Sequence, residues 1–219
     1  MKKKAILRVL AAAAILSIYS ATTCADEMKP IKLLPPQTEG GKPLMQALKD
    51  RKSRRAFASK ELPPQILSNL LWAACGINRP DSGGRTAPTA KNMQEIDIYV
   101  VKAEGVYLYD TKANALTPVL AGDIRALTGK QDFVKSAPIN LIYVSDLLKM
   151  GGMSAQDTDF YAATDTGFVS ENVYLYCSSA GLATVVRGRL DKAEIAKAMK
   201  LRPDQRVVLA QTVGYSEEK

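Results

Sequence analysis

Residues 139–144, Ile-Asn-Leu-Ile-Tyr-Val, constrain the fold more than any other stretch. Five of the six are apolar and three are β-branched, and a short apolar run of this kind reads as a buried strand. Such a strand needs hydrogen-bonding neighbours and a covering layer, which the rest of the chain must supply. Further strands are read at 96–102, at 106–109 across an Ala-Glu-Gly turn, and at 116–120, after which Asp123 caps a short helix. Pro43 opens a short helix to about Lys52, with Leu44, Ala47 and Leu48 at helical spacing. A second helix starts at Pro63 or Pro64, places Ile66, Leu67, Leu70, Leu71 and Ala74 on one stripe, and stops after Cys75 at Gly76. Residues 78–89 hold Pro80, Gly83, Gly84 and Pro88, a long irregular segment of the kind that is functional or mobile. A long helix from about Asp157 to Ala180 ends at Gly181, followed by a strand at 184–187, a helix at 192–200 and a last strand at 205–214. Helices first, a meander in the middle and alternation at the end make an α+β pattern.

Charge qualifies this picture. The 219 residues carry 30 Lys+Arg against 22 Asp+Glu, a net charge of +8, which on its own would invite a nucleic-acid partner. Residues 1–25 hold Lys2, Lys3, Lys4 and Arg8 and no acid, followed by an apolar run too short to span a bilayer. They read as a secretory signal. Cleavage after Ala25 leaves 194 residues with 26 basic and 22 acidic side chains, an ordinary soluble surface that points neither to nucleic acid nor to stable membrane insertion. The expected location is a periplasm or its equivalent. Lipid attachment at Cys24 is a minority alternative, because Ala21-Thr22-Thr23-Cys24 lacks the leucine usual three positions before the cysteine. Residues 26–42, with Pro30, Pro35, Pro36 and Gly40-Gly41, read as an extended leader that need not be ordered. Residues 43–219 form one domain.

The chain has no histidine. That excludes Ser-His-Asp and Cys-His nucleophile pairs and His-ligated metal sites, so chemistry falls to carboxylates, hydroxyls, amines, thiols or a borrowed cofactor. Cys75 and Cys177 sit in apolar helical surroundings and read as buried, unpaired thiols. Asp157, Asp159 and Asp165 lack a calcium-loop frame and read as solvating a helix start. Two strings remain. Arg51-Lys52-Ser53-Arg54-Arg55 puts four cations and a hydroxyl just past a helix, which can hold a phosphate or simply be a solvated basic helix end. Pro88-Thr89-Ala90-Lys91-Asn92-Met93-Gln94 offers amides that can match a heterocycle edge, or merely a turn stabilised by Asn.

Together and in this order, Arg-x-Ser-x-Arg and Pro-Thr-Ala-x-Asn-x-Gln resemble the nitroreductase family of FMN-dependent oxidoreductases. Asp165-x-Gly167, Glu171-Asn172-Val173-Tyr174-Leu175, Ala180-Gly181-Leu182 and the closing Val213-Gly214-Tyr215 extend the resemblance over residues 43–215. It implies a nitroreductase-like fold, with a central, mostly antiparallel sheet flanked by helices in a domain-sharing homodimer that builds each FMN pocket between two subunits. It implies that Arg51 and Ser53 bind the FMN phosphate and that Arg55 sits beside the flavin pyrimidine. Asn92 would read the flavin edge, with Pro88 in the same string and with Thr89 and Ala90 backing it from the neighbouring subunit. Gly167 would offer its backbone amide to the reactive nitrogen. Family members carry further basic residues after the closing strand; these are missing here, and Arg187 is the expected substitute, ahead of Arg189. A strand-end arginine paired with a surface carboxylate is an equal reading of Arg187.

The implied activity is ping-pong hydride transfer from NAD(P)H through FMN to a nitroaromatic, quinone or similar acceptor, with no catalytic side chain required. Phe160, Tyr161 and Phe168 are candidates for lining the acceptor cleft, or for the core. Export disfavours a nicotinamide donor, so an exported FMN dehydrogenase or reductase with another donor stays open. So does a non-catalytic flavin- or anion-binding protein.

Overall fold

The computed structural model describes residues 28–217; the expected signal segment, Cys24 included, lies outside them. In chain order the strands are β1 (Ile31–Lys32), β2 (Ile77–Arg79), β3 (Gly84–Arg85), β4 (Ile96–Val101), β5 (Gly105–Asp110), β6 (Ala115–Ala121), β7 (Ile139–Asp146), β8 (Ala183–Arg187) and β9 (Gln205–Gly214). The helices are α1 (Leu44–Asp50), α2 (Pro64–Cys75), α3 (Ala155–Ala180) and α4 (Lys192–Ala198). Seven strands form one sheet in the order β1-β6-β5-β4-β7-β9-β8, and every pairing in it is antiparallel.

The apolar run sits where its composition requires. All of β7 is buried between β4 and β9. Ile139, Leu141 and Tyr143 pack into the layer formed with Leu67, Leu70, Leu71 and Ala74 of α2 and Val169, Val173 and Cys177 of α3. Ile142 and Val144 face the other way, against Ile195 and Met199 around α4. Each fully covered Leu, Ile or Val contributes about 1.5–3 kcal/mol, so the sheet is held from both sides.

The long helix starts two residues before Asp157. Ser154 is its cap, its hydroxyl accepting the Asp157 amide at 3.1 Å, and Gly181 ends it in the left-handed conformation at φ 71°. Gly76 ends α2 for a different reason. Its φ is −66°, open to any residue, but a Cβ there would lie 2.4 Å from Cδ1 of Trp72. The irregular stretch expected at 78–89 contains the short hairpin β2–β3. Asp123 accepts the Arg125 amide at 3.0 Å from two positions ahead of the short helix Arg125–Thr128, whose cap position is Ile124.

The leader runs extended and is tied down. Ile31 pairs with Leu116, Leu33 is buried, Ser68 Oγ donates to the Leu34 carbonyl, and Ser179 Oγ accepts the Lys42 amide at 2.8 Å. It straps β6, α2 and α3 together, a tertiary effect that its proline content did not reveal.

Candidate functional site

Past α1 the chain turns extended at Arg51, and the Arg54 amide donates to the Thr184 carbonyl at 3.0 Å, laying residues 51–55 along the outer edge of β8. Tyr174 of α3 organises this segment. Its hydroxyl accepts the Val186 amide of β8 at 2.9 Å and shares a 2.8 Å hydrogen bond with Ser53 Oγ. The Arg51 guanidinium stands 5.3 Å from the centre of the Tyr174 ring, within cation–π range.

Beside this junction opens a cleft of about 620 Å³, lined by Lys42, Lys49, Lys52, Arg54, Tyr174 and Thr184 among others. Its one carboxylate, Asp50, already accepts from Lys42 and Gln46 at 2.8 Å each, and these bonds hold its carboxyl below the usual range. Cations are in excess there, which suits an anionic group. Of the Arg51–Arg55 string, Lys52 and Arg54 line the cleft, whereas Arg51, Ser53 and Arg55 are not among its lining residues; Lys42, Lys49 and Tyr174 were not legible, because helix, leader and extended segment meet only in the folded chain.

The second string forms a short turn, Ala90–Asn92, with positive φ at Lys91 (51°), Asn92 (55°) and Gln94 (53°). Among the bonds that hold it are the Gln94 amide to Thr89 Oγ1 (2.9 Å), Gln94 Nε2 to the Gly83 carbonyl (3.0 Å), and the Ala90 amide to Asp165 Oδ2 (2.8 Å). Asp165 therefore does not solvate a helix start, since it is only 2% exposed and anchors the turn. Next to it Glu95 is fully buried. Desolvation, opposed by its own backbone amide and by Lys149 and reinforced by Asp165, pushes the Glu95 carboxyl up to about 7.

Asp165 and Tyr174 are nine residues apart on α3, which is two and a half turns, or about 14 Å along the axis and half-way round it. One chain thus places the Arg51–Ser53 cluster and the Pro88–Asn92 turn on opposite flanks of the helix. Gly167 is exposed on the same helix, with open space where a Cβ would be. In a helix interior its amide is committed to the carbonyl four residues earlier, so it is not free for the contact the resemblance implied. What Gly167 offers is clearance.

Arg187 is not at the cleft. It is buried on the opposite face of β8 from the Val186–Tyr174 contact, where it donates to the Thr128 carbonyl and, at 2.9 Å, to Asn140 Oδ1. Neither a phosphate site nor a surface carboxylate is there. Desolvation lowers its pKa to about 10. Cys75 and Cys177 are buried and free, and burial pushes the Cys75 thiol up to about 12 and Cys177 higher still. Among the described residues no cluster could hold a metal ion, and no helix is long and apolar enough to cross a membrane.

The chain is thus an antiparallel sheet layered between helices, with a basic cleft beside its edge strand. The family model of the nitroreductases matches residues 48–215, and the chain belongs to that family of oxidoreductases. It is 42% identical to a candidate nitroreductase of Ralstonia eutropha JMP134 of known crystal structure, with a TM-score of 0.84 over 88% of this chain and 91% of that one. A candidate nitroreductase of Methanocaldococcus jannaschii is 32% identical over 162 residues, 69% of this chain and 81% of the relative. The NADPH:FMN oxidoreductase of Vibrio harveyi, solved with NAD+, shares the fold at 18% identity and a TM-score of 0.61, covering 80% of this chain and 69% of its own.

Proposed function

We propose that the chain is an FMN-dependent oxidoreductase, working as a homodimer, that passes hydride from NAD(P)H to a nitroaromatic, quinone or similar small acceptor. The observation that carries this reading is the cation excess of the cleft beside the Arg51–Ser53–Tyr174 junction, since a phosphate dianion needs several donors and no competing carboxylate. Arg51 and Ser53 hold the phosphate from the Tyr174 side, and Lys49, Lys52 and Arg54 add charge around it. Arg55, exposed at the end of the same segment, supplies a cation for the pyrimidine side of the ring. When bound, FMN supplies the ring that accepts and donates hydride. The protein's share is orientation and charge.

The homodimer rests on the half-turn between Asp165 and Tyr174. A wall built from Pro88, Thr89, Ala90 and Asn92 reaches a basic cleft more readily on a second copy than on its own chain. Between the two flanks α3 leaves Phe160 and Phe168 exposed, and α1 leaves Leu44, Leu48 and Met45 exposed, the last at 76%. Such apolar surface suits an interface. Phe168, one residue after the clearance at Gly167, then lines the space open to an acceptor.

FMN titration of the full chain and of Arg51→Ala/Ser53→Ala tests the site. Affinity should fall at least about tenfold in the double variant, and unchanged affinity would remove the phosphate assignment. Anaerobic addition of NADH or NADPH to the flavin-loaded protein tests the donor: bleaching supports it, and a flavin that only dithionite bleaches assigns another reductant. Export through the 1–25 signal is part of the proposal, and the intact mass of the mature chain, expected to begin at Asp26, tests it.

A further inference from the structure

We propose that Glu95 holds a proton that it donates to Asp165, and that the pair they form positions the Pro88–Asn92 turn at the flavin site. The assignment rests on the proposed flavin function for what the turn does, but not for the pair itself. Glu95 is fully buried at the start of β4, and neither of its carboxyl oxygens makes a hydrogen bond to another residue's N–H or O–H; the donor that acts on them is its own backbone amide. What faces them is the carboxyl of Asp165, within hydrogen-bonding reach. An ionised Glu95 is disfavoured in so dry a place beside a second carboxyl, so a proton is retained there. Placed on Glu95, it provides the missing donor to Asp165. Asp165 in turn accepts the Ala90 amide at 2.8 Å.

That bond matters because the backbone just beyond Ala90 is strained. Lys91, Asn92 and Gln94 all adopt positive φ without being glycine, and such backbone persists only where its surroundings hold it. The bonds that close the turn on itself run through Thr89 and Gln94. The bond from the Ala90 amide fixes it to α3.

Few other charges face the pair. Lys149, in the turn after β7, is a cation that favours ionised Glu95, and its ammonium is held by Asp97 at 2.7 Å and by the Gln94 carbonyl at 3.5 Å. Arg85 of β3 lies nearby, beside Cys75, and donates nothing to Glu95. Once that proton leaves, the charge on Glu95 stands beside Asp165 with only its own backbone amide and Lys149 to favour it. The grip on Ala90 then loosens. These are positioning residues: both are buried behind the turn and neither touches the ligand.

The test uses the full chain, with FMN as the probe, and Glu95→Gln, whose amide donates to Asp165 but cannot titrate. For wild type the FMN Kd is expected to rise about tenfold from pH 6 to pH 8, on top of any dependence from the phosphate itself; Glu95→Gln should lack this increment. Equal pH profiles for the two would overturn the proposal. Two readouts on flavin-free protein separate this from the flavin reading. Infrared spectroscopy at pH 6 should show a protonated-carboxyl C=O band that Glu95→Gln abolishes. Amide exchange at residues 88–94, normalised to Glu95→Gln at each pH, should accelerate toward pH 8. Absence of that band, or its persistence in Glu95→Gln, refutes the pair even if FMN binds. Its presence in a protein that binds no FMN upholds the pair and removes the flavin reading alone. Should Glu95→Gln not fold, Asp165→Asn decides equally, because its amide donates to an ionised Glu95 and the band should vanish.

Discussion

Tyr174→Phe deletes one oxygen atom from the junction of three elements. The hydroxyl accepts the Val186 amide of β8 at 2.9 Å and bonds Ser53 of the extended segment at 2.8 Å, while its own residue belongs to α3 and is 7% exposed. Phenylalanine keeps the ring and hence the Arg51 contact, so the variant isolates the two hydrogen bonds. Losing the Ser53 bond removes about 1 kcal/mol, and leaving the Val186 amide without a partner costs about 1–3 kcal/mol, reduced here because Val186 is only half-buried and water can reach it. The total is about 1.5–3 kcal/mol. For a domain of this size each kcal/mol moves the Tm by about 2–4 °C, giving a fall of about 3–12 °C. Urea denaturation and calorimetry on flavin-free protein measure this, and FMN titration should show Kd raised about three- to tenfold as Ser53 loses its anchor. A Tm within about 1 °C of wild type, with unchanged FMN affinity, would refute Tyr174 as the fastening of the site.

Arg187→Met should destabilise the fold by about 1–3 kcal/mol, because the Thr128 carbonyl and Asn140 lose a buried donor. It should leave FMN affinity within about twofold while Arg51→Ala does not; an equal loss in both would return Arg187 to the phosphate site. Gly76→Ala forces a methyl within 2.4 Å of the Trp72 ring, and urea melts should register about 1–3 kcal/mol of overpacking. Burial lifts Glu95 from its ordinary 4.5 to about 7, so between those values the folded chain holds a proton that the unfolded chain has lost. Stability should therefore decline as pH rises from about 4.5 to 7, by up to about 3 kcal/mol, and level off above. Denaturation of Glu95→Gln across the same range should lack that slope.

Elements whose residues carry their own pattern were legible. The apolar run of β7, the leucine stripe of α2 and the glycine that ends α3 each fix a local structure through composition or φ. The leader and the β2–β3 hairpin were not, because two- and three-residue strands exist only through the neighbours they pair with. The same division runs through the site. Arg51, Ser53, Ala90 and Asn92 stand in recognisable strings. Tyr174 sits in a string that suggested only a core helix, and its role depends on β8 arriving beside it. Arg187 obeyed a reasonable rule, that a missing cation is replaced nearby, but strand alternation turned its side chain to the opposite face of the sheet. Glu95 and Asp165 broke the expectation that carboxylates stay solvated, and nothing in one sequence announces a buried acid.

The proposed function depends on a second copy of this chain completing a flavin site across the half-turn of α3. Native mass spectrometry of the purified full chain incubated with FMN is its sharpest test. The expected species is a homodimer carrying two FMN molecules, with flavin retention lost when the dimer is split. A chain that stays monomeric and binds FMN just as well, or a dimer that takes up none, would contradict it.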